Sequence, residues 1–296
     1  SGSPGEAAAV ERIIARRVLI ATGARPRALP STPFDRETIL TSREAMVLPA
    51  VPESLLIVGA GAIGVEFASI YEAFGSRVTI VEMLDHLLPI EDDEVARELE
   101  KIFQKRGVAV HTSTRVETLE KVDINGRPGV RAQLTTPKGP VTVEAEKALV
   151  AIGLIGNTED LGIEQVGVTV ERSFIQASRD TYETSVPGIF AIGDVIGPPL
   201  LAHVASAEAL VAVERMAGHD RPPLDYGQIP GCTYSHPQVA SVGLTERKAR
   251  EQGLDLKIGR FPFRASGKSL AQGETAGFVK LIYDARYGGL LGAHII

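Results

Sequence analysis

Only one cysteine, Cys232, occurs in the 296 residues. The chain can therefore hold neither an internal disulfide nor a cysteine-rich zinc site, and dithiol chemistry needs a second thiol from elsewhere. Long apolar runs are missing too. The longest nearly apolar stretch, 55–65, is too short and too glycine-rich for a spanning helix, and no charged-then-apolar leader is readable. The expectation is a soluble, unexported and hence cytoplasmic protein with no membrane contact. Positive charge is not in excess: 31 Lys and Arg against 37 Asp and Glu give a formal charge of −6. That leaves no basic footprint for nucleic acid, so a small molecule or a protein is the expected partner. The histidines show no metal-ligand spacing, and no metal is assigned. There is no internal repeat of about 20–50 residues. What is present is 44% hydrophobic and 23% charged residues, the composition of a folded chain of about two domains.

Strand-like Arg17-Val18-Leu19-Ile20-Ala21 runs into Thr22-Gly23-Ala24-Arg25-Pro26, a Gly/Pro turn. Pro30, Pro33, Pro49 and Pro52 then exclude a continuous helix over 30–53, which reads as a linker. Leu55-Leu56-Ile57-Val58 is a short apolar strand, Gly59 to Gly64 a tight turn, 65–74 a helix stopped at Gly75, and Arg77-Val78-Thr79-Ile80-Val81-Glu82 a second strand. Together they make a βαβ unit. Val95, Leu99, Ile102 and Phe103 recur with helical spacing over 93–106 behind Asp92 and Asp93. Turns at Asn125-Gly126 and Pro137-Lys138-Gly139 separate alternating runs, an antiparallel meander, before a buried strand over 148–152 ends at Gly153. Ile189-Phe190-Ala191-Ile192 is another buried strand, stopped by Gly193-Asp194, and the Ala-rich stretch 203–217 is a helix closed by Gly218. After Pro222-Pro223, residues 229–296 read as α+β with one helix over 246–252.

Gly59, Gly61 and Gly64 form a G-x-G-x-x-G. In a chain with 30 glycines the match alone is weak, and a plain tight turn is the alternative. Context raises it, because the motif leaves a strand, opens a helix, and is followed by Glu82 at the end of the next strand. Gly59 then serves the turn, Gly61 lets the backbone approach a pyrophosphate, and Gly64 lets helix and strand pack closely, with free N–H groups at the helix start. A carboxylate at Glu82 can accept the ribose hydroxyls of NAD, whereas a 2′-phosphate would meet like charge at about 1–4 kcal/mol per charge pair near 4 Å. NAD is therefore expected over NADP, with a solvated strand-end Glu as the alternative. Glu66 either contacts the ligand or has a capping or solvated role at the helix start, where the dipole favours acids. Gly153, at the carboxyl end of its strand, is a ligand-side residue or a simple turn. Asp194, in front of a helix start, either holds ligand hydroxyls or stabilises its turn. His203 reads as a packed or capping histidine rather than a base.

These residues resemble the pyridine nucleotide-disulfide oxidoreductases, and within them the dihydrolipoamide dehydrogenases. The resemblance rests on Ala21-Thr22-Gly23, on the run from Gly59 to Glu66, on Val81-Glu82, and on Val186-Pro187-Gly188-Ile189-Phe190-Ala191-Ile192-Gly193-Asp194-Val195. It rests further on Leu201-Ala202-His203, on Tyr234-Ser235-His236-Pro237-Gln238-Val239-Ala240-Ser241-Val242-Gly243, and on Phe261-Pro262-Phe263-Arg264-Ala265-Ser266-Gly267-Lys268-Ser269-Leu270-Ala271. It covers nearly the whole chain. The implied fold is α/β: a Rossmann-like NAD domain with an inserted β-meander, part of an FAD domain, and a partial α+β dimerisation domain. The implied boundaries are 1–29 for the first FAD-domain piece, 30–51 for a linker, 52–155 for the NAD domain, 156–228 for the second FAD piece and 229–296 for the interface domain. The resemblance implies that Gly59, Gly61, Ala62, Ile63, Gly64, Glu66, Glu82, Val116 and Gly153 face NAD, with Glu66 near the nicotinamide end. It implies that Thr22, Gly23, Asp194, Leu200, Leu201, Ala202 and His203 touch FAD.

The implied reaction is oxidation of protein-bound dihydrolipoamide by NAD through FAD and a redox disulfide. The implied partners are a second copy in a homodimer, and the lipoyl domain and acyltransferase core of a 2-oxoacid dehydrogenase complex or the glycine cleavage system. The Gly153-Leu154-Ile155-Gly156-Asn157-Thr158 segment departs from the family's commoner Gly-Arg-x-Pro-Asn form. The family's N-terminal FAD fingerprint, its Cys-x4-Cys pair and its His-Glu dyad have no match here. The expectation is an internal fragment without a catalytic residue of its own, inactive alone. Rival readings are a mercuric reductase-like or NADH oxidase-like flavoprotein, or a non-catalytic NAD-binding fragment; Glu82 argues against an NADP-linked glutathione-type reductase.

Overall fold

The computed structural model describes residues 12–296, so the opening of the segment 1–29 lies outside the described residues. The described residues form two compact units, one of 12–25 with 155–224 and one of 26–154 with 225–296.

The larger unit is built on a five-stranded parallel sheet in the order Ile39–Leu40, Lys147–Val150, Ser54–Val58, Arg77–Val81, Ala109–His111. The apolar run of Ser54–Val58 is what a strand covered on both faces requires, and the side chains divide by the two-residue period of a strand. Leu55 and Ile57 join one core cluster with Val65, Ala68 and Tyr71 of the Ala62–Ala73 helix and Val95, Leu99 and Phe103 of the Asp93–Lys105 helix. Leu56 and Val58 join the other, against Leu119, Val130, Ala132 and Leu134 of the antiparallel meander Arg115–Ile124, Arg127–Thr136, Gly139–Ala145. The fold is α/β with an inserted meander.

The proline-rich stretch expected to be a linker does more than connect. Ile39–Leu40 adds an edge strand to the parallel sheet, and Ser42–Ala45 forms a helical turn with a capping box between Thr41 and Glu44. Asp35 organises this locally: one carboxylate oxygen accepts the N–H groups of Glu37, Thr38 and Ile39 at 2.9, 2.8 and 2.7 Å. Burial alone would raise its pKa, but the Lys121 ammonium, the Thr38 hydroxyl and the N–H groups of Ile39 and Glu37 hold it well below the usual carboxylate range.

Residues from 231 onward form an antiparallel sheet in the order Gly231–Thr233, Val239–Gly243, Leu290–Ile295, Phe278–Asp284, Leu256–Pro262. Two helices accompany it rather than the one expected, Glu246–Glu251 and Gly267–Gln272. The second opens on a glycine, a poor helix former, and depends on the Ser266 side chain as its cap. Lys280 is buried in this sheet with its Nζ 2.8 Å from each of Asp92 Oδ1, Glu94 Oε1 and Glu246 Oε2.

In the smaller unit Val18–Ile20 pairs in parallel with Ile189–Ala191. The Ala202–Met216 helix packs Val211 and Ala212 into a core with Ile20, Ile175, Tyr182, Ala191 and Val195. Among the described residues no helix is long and apolar enough to cross a membrane.

Candidate functional site

In the larger unit the strands Ser54–Val58, Arg77–Val81 and Lys147–Val150 end on the same edge, and a cavity of about 660 Å³ opens there. That volume is in the range of sites that enclose a cofactor-sized ligand. Its wall includes Gly59, Gly61, Ala62, Glu82, Val116 and Gly153. Ile63, Gly64 and Glu66 are not part of that wall.

The glycine turn owes its shape to close approaches. Gly59 has φ +102°, and a Cβ there would overlap the carbonyl oxygen of Ala151, the residue after the Lys147–Val150 strand. A Cβ on Gly64 would collide with the Gly59 carbonyl oxygen and press on Ile57 Cγ2 at 3.3 Å, so the glycine is what allows the helix to start against the strand. Gly61 is different in kind: a Cβ there meets no protein atom within 4 Å and would point into open space beside the cavity. The helix begins at Ala62, earlier than its hydrophobic pattern suggests, and its N-cap Gly61 offers no side-chain hydrogen bond. Its first N–H groups are therefore free to face an anion, which is what the backbone of Ala62, Ile63 and Gly64 can contribute.

Glu82 is buried, 8% exposed. One carboxylate oxygen accepts the Ala60 N–H at 2.7 Å and the other the Leu84 N–H at 2.9 Å, so it ties the glycine turn to the loop after its own strand. A carboxylate has about four acceptor positions, which leaves capacity for two hydroxyl donors. The solvated strand-end alternative does not describe this residue. Glu66 lies beyond the first helical turn, which carries no acid. It acts neither as cap nor as dipole partner, and its Oε1 accepts the Tyr234 N–H at 2.8 Å.

In the smaller unit Asn157 links the Thr22-Gly23 turn by three bonds. The Thr22 hydroxyl donates to its carbonyl at 2.7 Å, its side-chain amide donates to the Thr22 carbonyl at 2.9 Å, and its N–H donates to the Gly23 carbonyl at 2.9 Å. Asp194 lies in the turn Gly193–Ile196, and burial followed by the nearby Glu208 charge raises its pKa. Leu201 is the N-cap of the Ala202–Met216 helix without a side-chain hydrogen bond, and His203 stands exposed in the first turn. No sequence motif marks Arg179 and Glu208, yet they hold this region. Glu208, 1% exposed, accepts the Gly193 N–H at 2.7 Å and an Arg179 N–H at 3.1 Å, while Arg179 also donates to the carbonyls of Ile196 and Pro198 at 3.0 Å. The one available signal is an acid set within an Ala-rich helix.

A family model described as pyridine nucleotide-disulphide oxidoreductase matches residues 5–209, and one for the dimerisation domain of the same family matches residues 229–296. A dihydrolipoyl dehydrogenase of Zymomonas mobilis is 48% identical over 289 residues, covering 97% of this chain and 61% of that protein. One from Rhizobium etli is 47% identical over 285 residues, 95% of this chain and 58% of that protein. The chain thus spans about three-fifths of the length of these curated relatives. Among solved structures, LpdA from Mycobacterium tuberculosis superposes with a TM-score of 0.84 at 33% identity, over 94% of this chain and 59% of that one. The flavoprotein disulfide reductase RclA from Escherichia coli gives 0.83 at 28% identity, over 94% and 62%.

Proposed function

The chain belongs to the pyridine nucleotide-disulphide oxidoreductases, and from that premise we propose that it supplies the NAD-binding and interface portions of a dihydrolipoyl dehydrogenase. The reaction is oxidation of a protein-bound dihydrolipoamide dithiol to its disulfide, with NAD⁺ taking the hydride and a proton released. The observation that carries this reading is the cavity at the sheet edge: an uncapped helix N-terminus, open space at Gly61, and the buried Glu82 carboxylate with acceptor capacity left. The sequence identity to dihydrolipoyl dehydrogenases supports the substrate.

In this reading Gly59, Gly61 and the N–H groups of Ala62, Ile63 and Gly64 receive the pyrophosphate. Glu82 accepts ribose hydroxyls and disfavours a 2′-phosphate. Val116 and Gly153 line the ligand, and Glu66 stands toward its nicotinamide end. Thr22-Gly23, Asp194 and the helix start at Leu200, Leu201, Ala202 and His203 hold part of FAD. That start, where Leu201 makes no side-chain cap hydrogen bond, and the position of Asp194 fit a diphosphate ligand with hydroxyl groups. FAD, when bound, supplies the electron relay between dithiol and nicotinamide. The redox disulfide needs two cysteines and this chain has one, so Cys232 alone cannot form that centre.

Residues 229–296 pair two copies into a homodimer. The protein works in the cytoplasm, or the matrix of a mitochondrion, on the lipoyl domain of a 2-oxoacid dehydrogenase complex or the glycine cleavage system, beside the acyltransferase core. The test is NAD⁺ reduction, followed at 340 nm, by the protein that carries this chain. Dihydrolipoamide is expected to drive it. Silence with dihydrolipoamide, together with NADH oxidation driven by mercuric ion or by oxygen alone, would overturn the substrate assignment.

A further inference from the structure

Glu91 belongs to no motif, yet it lines the same cavity as Glu82 and is 7% exposed. Its Oε2 is enclosed and has no hydrogen-bond partner among the described residues. An unpartnered buried carboxylate oxygen is costly and uncommon, and it calls for a donor that the described residues do not provide. The backbone carrying Glu91 is fixed on both sides. Its N–H donates to the Leu88 carbonyl at 2.9 Å, and the Leu88 N–H donates to the Ala60 carbonyl at 2.8 Å, which ties this loop to the glycine turn. The next residue, Asp92, caps the Asp93–Lys105 helix, accepts the Glu246 N–H, and pairs with Lys280. Such anchoring keeps the carboxylate where it is rather than letting it swing into water.

The two carboxylates have different neighbours in the cavity. Glu82 neighbours Thr114, whose N–H donates to the Glu82 carbonyl at 2.9 Å, and Thr114 and Val116 line the cavity. Glu91 neighbours Gly231, whose added Cβ would lie 3.9 Å from Glu91 Oε1, and Thr233 of the same strand lines the cavity there. A dinucleotide has a ribose on each side of its pyrophosphate, each a source of hydroxyl donors. With the glycine turn as the pyrophosphate seat and Glu82 taking one ribose, we propose that Glu91 accepts a hydrogen bond from the second ribose, the one bearing nicotinamide. This inference rests on the NAD reading above and adds a positioning residue to it.

Three ligands separate the ends by calorimetric titration of the 296-residue chain: ADP, which lacks the second ribose, ADP-ribose, which has it, and NAD⁺. In Glu91→Ala, ADP is expected to bind as in the unaltered chain, while ADP-ribose and NAD⁺ weaken roughly tenfold or more, the loss expected for a charge-assisted hydrogen bond. Glu91→Gln, nearly isosteric, is expected to weaken the same two ligands by a smaller factor, and unaltered ADP binding certifies that each variant is folded. Equal weakening of all three ligands would mean a structural role, and unchanged NAD⁺ affinity in both variants would mean no contact; either overturns the assignment to Glu91 while leaving the NAD reading in place. Absence of NAD⁺ binding to the unaltered chain would overturn both.

Discussion

Gly64→Ala is expected to lower the stability of the chain by about 1–3 kcal/mol, the usual cost of forcing an atom into a packed site, and to abolish saturable NAD⁺ binding. Two effects compete. Alanine is the better helix former by about 1 kcal/mol, and Gly64 lies inside a helix. Against that, the new methyl would collide with the Gly59 carbonyl oxygen, an atom of a backbone whose N–H is bonded to Val81 at 2.8 Å and whose own φ already needs glycine. A flexible side chain could yield; this turn cannot, so the collision decides the sign. Gly61→Ala is the contrast, because its methyl meets no protein atom. It should leave the unfolding free energy in urea within about 1 kcal/mol of that of the unaltered chain and still weaken NAD⁺ binding. If Gly64→Ala kept both full stability and full affinity, the close-packing role would be wrong.

Lys280→Met is expected to cost about 3–5 kcal/mol at pH 7, the range for removing one partner of a buried ion pair. Lys280 and Asp92 are each 1% exposed, so the substitution strands the Asp92 charge. Burial alone would push the Asp92 pKa up; the Lys280 ammonium and the N–H groups of Glu246 and Glu94 outweigh it and bring it below its ordinary value. Glu94 is held down to about 2, first by Arg260 and then by Lys280, with burial opposing. Burial likewise opposes the charge on Lys280, and the three carboxylates overcome it and raise its pKa. For a depressed carboxylate, stabilisation is present above the unfolded pKa and fades as pH falls through the folded one. The unaltered chain should therefore lose stability from about pH 5 downward. In Lys280→Met the buried Asp92 takes up a proton more readily, so the gap between the two proteins should narrow as pH falls. Urea unfolding at pH 7 and pH 4.5 measures both quantities; a gap below about 1 kcal/mol at pH 7 would show that the cluster adds no more than an exposed pair.

The parallel sheet was readable because its strands are apolar on both faces, and the division of Leu55 and Ile57 from Leu56 and Val58 follows from strand period alone. The glycine turn and Glu82 were readable because a fixed backbone shape demands those residue types at that spacing. What stayed hidden depends on partners far along the chain. Lys280 lies in Phe278–Asp284, where a lysine among apolar residues reads as solvent-facing, and the acids that bury it stand 188 and 186 positions earlier at Asp92 and Glu94. Glu91 reads as one more acid ahead of a helix, and only its enclosure beside the cavity sets it apart. Proline content predicted a linker over 30–53, but prolines restrict only their own neighbourhood, and Asp35 gathers three N–H groups to start an edge strand between them.

If the cavity at the carboxyl edge of the parallel sheet is an NAD site selected by Glu82, titration of the chain with NADH and with NADPH, followed by nicotinamide fluorescence, will distinguish the two. NADH is expected to bind saturably and NADPH with an affinity lower by roughly tenfold or more, because a 2′-phosphate would meet the buried carboxylate. Equal or tighter binding of NADPH, or no binding of either, would contradict that assignment.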